Sequence, residues 1–218
     1  MLDVYKATYT DERGCEDICI SNNGEKLTTI IRDVTFQGSD FDALDPIKNT
    51  DPLLLKQFQL SCDSLCSCRF NWEMTIDVAT DDKTVSGILS CELNLGYPMS
   101  NKCIDKEELL LTLHFGRQSF SSTGKSGYFE DELLSIHQQL PNDTYIKACI
   151  NCLYSAYSPY GHGLFGCMLC FRNRKGDYLK IQSKGDFWGI HDHFERQVQE
   201  TYLCPEFQLR VSGIGYRG

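Results

Sequence analysis

Two cysteine pairs of the form C-x-x-C, Cys149/Cys152 and Cys167/Cys170, lie fourteen residues apart in the last third of the chain. A C-x-x-C turn lets two sulfurs reach one metal, so two such pairs can close a tetrahedron of thiolates around a zinc ion. A shell made only of thiolates leaves no open coordination position, and the ion it predicts is structural. The local sequence complicates the two-pair scheme. Leu153 and Phe171 follow the second cysteine of each pair, where such turns often carry glycine. The run from Gly163 to Phe171 also has the composition of a strand, on which residues three apart point to opposite faces, separating Cys167 from Cys170. Cys204 and the Cys66-x-Cys68 pair are further sources of thiolate. The competing expectations are buried, uncoordinated thiols in a β core, and redox or disulfide chemistry.

Between the pairs runs a loop containing Tyr154, Tyr157, Tyr160 and His162 with two glycines. Tyrosine offers a rigid apolar face with a hydroxyl at its tip, so these four residues are a candidate partner or ligand surface, against the alternative of a loop packed over the sheet. Other motifs fall short. Gly124-Lys125-Ser126 has the ending of a phosphate-binding loop, but Ser119 stands where the first glycine is needed. His191 and His193 are two apart, on different faces of a helix, unlike the four-residue spacing of zinc proteases. No G-x-S-x-G elbow is present. A cysteine paired in space with His114, His137 or His162 stays open as a nucleophile, and nothing in the sequence selects one.

The elements that must position these residues are mostly strands. Ile18 to Ile20 and Leu27 to Ile31 flank Asn22-Asn23-Gly24, a hairpin signal. From Leu53 to Phe120 the pattern is mainly period two, clearest where Phe70, Trp72, Met74 and Ile76 alternate with polar residues. Helices are expected at Tyr128 to Leu140, with acidic residues in its first turn and Pro141 at its end, and at Asp186 to Tyr202, with an apolar stripe Phe187, Ile190, Phe194, Val198, Tyr202. The predicted fold is α+β and mainly β: an antiparallel sheet or sandwich with two helices in the C-terminal half. It is read as a single domain over 1–218, with a sub-boundary near 125 as the alternative.

The net charge of −9 runs against nucleic-acid binding, which gains affinity by neutralising phosphates with Lys and Arg, and suits a basic protein partner instead. No apolar run is long enough for a transmembrane helix, and Met1 to Gly14 lacks a signal-peptide pattern, so no membrane association is expected and the cytoplasm is the predicted compartment. Thiols stay reduced there, which leaves the twelve cysteines free for burial or metal ligation.

Several longer stretches carry a resemblance: Leu65-Cys-Ser-Cys68, Ser126-Gly-Tyr-Phe-Glu-Asp-Glu-Leu-Leu134, Cys149-x-x-Cys152 with Tyr157-Ser-Pro159, Gly163-Leu-Phe-Gly166, Cys170-Phe-Arg172, and Gln199 through Phe207 with the closing Gly215 to Gly218. On these the chain resembles an uncharacterised bacterial family of about this length, described only as a domain of unknown function. The resemblance implies a bacterial cytoplasmic protein and no known activity. It implies that Cys66, Cys68, Cys149, Cys152, Cys170 and Cys204 belong to the family pattern. The favoured metal set is then Cys149, Cys152, Cys170 and Cys204, with Cys167 as the alternative fourth ligand and Cys66 with Cys68 as a second candidate pair.

The function expected is that of a non-enzymatic protein-binding module with a structural zinc site, of the kind that neutralises a basic toxin in conflict or defence. The alternative is a cysteine-dependent or metal-assisted hydrolase or transferase whose site the 154–163 loop lines. Oligomeric state is not legible.

Overall fold

The strict alternation from Cys68 to Leu95 buries every second side chain, and it builds the two longest strands of the protein. The computed structural model describes residues 3–81, 83–101, 103–158, 163–166 and 168–213. In chain order a first meander comprises β1 (Asp3–Asp11), β2 (Gly14–Asn22), β3 (Leu27–Ile31), β4 (Val34–Gly38) and β5 (Asp45–Pro46). A short α1 (Pro52–Leu55) and the hairpin β6 (Gln59–Ser61) and β7 (Ser64–Cys66) lead to a second meander, β8 (Cys68–Thr80), β9 (Lys83–Leu95), β10 (Glu107–Phe115) and β11 (Gln118–Ser121). Then follow α2 (Phe129–His137), β12 (Thr144–Ile146), β13 (Ser155–Tyr157), β14 (Met168–Cys170), α3 (Lys175–Tyr178), α4 (Lys184–Trp188) and β15 (Arg196–Val198).

The two meanders join edge to edge into one antiparallel sheet in the order β11-β10-β9-β8-β1-β2-β3-β4-β5. β8 is longer than either partner on its far side. β1 pairs its first half, from Arg69 to Trp72, and β12 pairs its last residues, Val78 to Thr80. β13, β14 and β15 form a separate small sheet. The fold is thus the mainly β, antiparallel one that period two predicts.

One face of the large sheet holds the main core. Tyr9, Phe36, Phe41, Phe70 and Phe129 are fully buried there. Phe41 stacks on Trp72 at 4.4 Å, and Phe129 meets Phe165 at 4.5 Å, which brings the loop before β14 onto the sheet. Burying each such ring contributes about 1.5–3 kcal/mol. A second cluster, built on Leu153, Tyr154, Phe171, Tyr178 and Phe187, lies within residues 152–190. The main core draws on residues from both sides of position 125.

α2 forms where expected, with Phe129, Leu133 and Ile136 buried and Glu130, Asp131 and Glu132 in its first turn. The second expected helix forms only as the short α4, Lys184–Trp188. Asp186 to Tyr202 is instead the end of α4, a 3-10 turn at His191–His193, and strand β15. The apolar stripe does become buried, but in two places: Phe187 and Ile190 enter the second cluster, while Val198 enters the main core. Pairing of Arg196 with Cys170 across β15 and β14 satisfies backbone groups that a helix would have used internally. The period-two run also starts later than Leu53, because Asp51 caps a helical turn that begins at Pro52. Among the described residues no helix is long and apolar enough to cross a membrane.

Candidate functional site

Three separate segments bring Cys149, Cys152, Cys170 and Cys204 together. Cys149 and Cys152 flank a single 3-10 turn, closed by the Cys152 N–H on the Cys149 carbonyl at 3.0 Å. The Ser155 hydroxyl donates to the carbonyls of Cys149 and Cys152 at 2.6 and 3.0 Å, and Ser155 is the register partner of Cys170 across β13 and β14. The Cys149 N–H donates to the Tyr202 carbonyl at 2.7 Å, drawing in the segment that carries Cys204. All four cysteines are buried.

Their electrostatics link them. Burial pushes the Cys149 thiol up, and Cys152, Cys170 and Cys204 push it further in the same direction, whereas Arg196 opposes them. Burial also pushes Cys170 up, against the backbone N–H of Arg172, which hydrogen-bonds its sulfur. The Arg172 guanidinium is paired with Glu195, Nε lying 2.8 Å from both carboxylate oxygens, and it also donates to the Cys204 sulfur. Arg196 stacks over the Tyr202 ring at 4.5 Å, and its Nε–H is buried without an acceptor. Among the described residues no three or more His, Cys, Asp or Glu side chains are already arranged around one ligation point.

The other sequence candidates fall elsewhere. Cys66 and Cys68 influence each other beside Tyr9 and Asp11, at the start of β8. Ile146, three residues before Cys149, pairs Val78 near the other end of that strand. Ten residues of strand separate the two positions, roughly 33 Å at ~3.3 Å per residue. Cys167, Tyr160 and His162 lie outside the described residues. Tyr154 and Tyr157 are buried, with hydroxyls on Gln208 at 2.7 Å and Glu200 at 3.4 Å. They support the cysteine region from inside, as a half-polar side chain does when its tip finds an acceptor.

Two buried carboxylates hold the Gly163 to Gly166 loop in place. Asp40 accepts the Phe165 N–H and Glu200 accepts the Gly166 N–H at 2.8 Å. Burial, with Asp42 nearby, raises Asp40 to about 8. Gly166 sits at φ +99, where an L side chain is strained. The Gly124-Lys125-Ser126 turn does point its N–H groups at an anion, and the anion is internal: the Glu132 carboxylate accepts all three at 2.7, 3.0 and 2.9 Å.

The outward face of the large sheet was missed by motif searching, since its residues are scattered along the chain. The signal was present as the polar half of each alternating strand. Outward positions of β1, β2, β8, β9 and β10 carry Asp17, Glu73, Asp77, Glu92 and Glu108 against Lys6 and Arg69. Arg69 lies 3.7 Å from Glu92. A depression of about 410 Å³ crosses these five strands, with Thr8, Asp17, Asn71, Glu73, Glu92 and Leu110 in its wall.

Fold and site together define a mainly antiparallel β protein with an open acidic sheet face and a group of four buried cysteines after the sheet. The chain belongs to a family of unknown function, DUF6304, whose model matches residues 3–155 and so takes in the large sheet, Cys149 and Cys152. No curated protein and no solved structure matches the chain.

Proposed function

We propose that the protein is a non-catalytic binding module that takes a basic protein segment on the outward face of its large sheet. The observation that carries this is the depression across β1, β2, β8, β9 and β10, whose floor and rim hold more carboxylates than cations. Ile88 and Leu110 are exposed beside those acids, so the stems of lysine or arginine find apolar surface while their heads find carboxylates. The net charge of −9 steers a basic partner towards the molecule over a Debye length of roughly 8–10 Å at moderate salt. A reducing cytoplasm is the compartment that suits Cys66, Cys68, Cys91, Cys149, Cys152, Cys170 and Cys204, which are buried and outside any disulfide. A cysteine-dependent enzyme has less support. Burial pushes Cys66, Cys149 and Cys170 up, whereas a nucleophilic thiol needs the opposite shift.

Titration of the isotope-labelled chain with a lysine- and arginine-rich peptide, followed by amide shifts, tests the proposal. The expected result is a perturbation confined to β1, β2, β8, β9 and β10, around Thr8, Asn71 and Ser90. Shifts spread evenly over all exposed acids, or none at low salt, would overturn it.

A further inference from the structure

We infer that Cys149, Cys152, Cys170 and Cys204 form a four-thiolate site for one divalent metal ion of the zinc class, which clasps the chain after residue 199 to the cysteine turn. The inference is independent of the binding face. The backbone supplies its geometry. One 3-10 turn presents Cys149 and Cys152, the Ser155 hydroxyl fixes both their carbonyls, and register places Cys170 opposite Ser155. The Cys149 N–H on Tyr202 and the Ile150 N–H on Glu200, at 2.7 and 2.8 Å, hold the third segment against the same turn. Rotation about χ1 moves each sulfur among staggered wells without shifting these backbone contacts.

Buried thiols alone need no metal, and the surroundings decide the matter. Neutral thiols are weak acceptors that do not call for cations, yet Arg196, the register partner of Cys170 across β14 and β15, carries a buried Nε–H without an acceptor, and Arg172 follows Cys170 by two residues. That donor set matches thiolates, whose charge is best compensated by N–H groups and arginines. A metal supplies the thiolates, because ligation deprotonates the thiol outright. Four sulfurs in a tetrahedron select zinc over the hard, oxygen-seeking magnesium and calcium. No ligand position is left for water, so the site braces the fold and does not catalyse.

The test uses the full chain, purified under reducing agent and without chelator. Elemental analysis should return one zinc per chain, and replacement by Co2+ should give the thiolate-to-metal charge-transfer band of a tetrahedral tetrathiolate. Cys204→Ser should weaken that band and lower metal affinity by at least tenfold, whereas the double variant C66S/C68S should leave both unchanged. Sub-stoichiometric metal with no band on equimolar Co2+ overturns the inference, and so does a Cys149–Cys152 disulfide under the same conditions. Loss of metal in C66S/C68S with retention in C204S overturns the assignment of ligands. The wild-type readings do not depend on any variant folding.

Discussion

Both oxygens of the Asp40 carboxylate accept the backbone N–H of Phe165, at 3.1 and 3.2 Å, and the Phe41 N–H lies 2.7 Å from one of them. This contact ties the loop after β4 to the loop before β14, across 125 residues of chain. It also places a titratable group in the interior. Burial and Asp42 raise Asp40 to about 8, well above an unfolded carboxylate near ~4. The folded state therefore holds the proton more tightly between those values. Its contribution is complete below pH ~4 and is lost as pH rises through about 8. Asp40→Asn keeps an acceptor and removes the titration. Its stability relative to wild type should rise between pH 4 and pH 9 in denaturant unfolding, by up to about 5 kcal/mol for a carboxyl raised from ~4 to about 8. Parallel pH profiles would contradict this.

Glu132 shows the opposite sign. Burial pushes its carboxylate up, but the donors on Ser126, Ser122 and Gly124 outweigh burial and hold it below the usual range. The stability it contributes is present above the unfolded carboxylate pKa and is lost as pH falls through the lower folded value. Glu132→Ala leaves three N–H groups facing an empty space and should cost about 2–4 kcal/mol at neutral pH, with Glu132→Gln costing less. The deficit of either variant should shrink at low pH. A Glu132→Ala protein as stable as wild type at neutral pH would show that water replaces the carboxylate at no cost.

Phe41 fills the middle of the main core, stacked on Trp72 and 6.1 Å from Phe165. Phe41→Ala should destabilise by about 3–5 kcal/mol, with a shift in tryptophan emission as Trp72 loses its neighbour. Glu73→Lys, on the same strand as Trp72 but on its outward side, should change stability by no more than ~0.5 kcal/mol. Thermal unfolding of the two variants measures the contrast between the faces directly.

Much of this fold was legible because period two is a strong signal when one face is buried. Phe70, Trp72, Met74 and Ile76 read correctly as the inner face of β8, and α2 was given by its spacing, its acidic first turn and Pro141. The stretch from Asp186 to Tyr202 failed for a physical reason. Helical spacing says only that side chains are apolar, and Phe187 in α4 and Val198 in β15 are buried in different cores with a 3-10 turn between them. The cysteine group was legible as residue types, but not as geometry. Nothing in the sequence announced that Ser155, Arg172 and Arg196 would converge on it, since each reaches the group through register in the small sheet or through the turn just after it. The acidic face was hidden in the same way: Asp17 and Glu92 fall on one row across the sheet, through Thr8 and Asn71, only once β1 and β8 join the two meanders.

The central claim is that the outward sheet face, and not acidity in general, takes a basic partner. The most direct measurement is equilibrium binding of a lysine- and arginine-rich peptide to two variants of equal net charge. One carries Asp17→Lys, Glu73→Lys and Glu92→Lys in the depression, and the other carries Glu12→Lys, Glu25→Lys and Asp131→Lys, all exposed and elsewhere. Affinity should fall at least tenfold in the first, about 1.4 kcal/mol, and less than threefold in the second, with the wild-type affinity weakening as salt rises. Equal losses in both variants would reduce the interaction to net charge and contradict the assignment of the face.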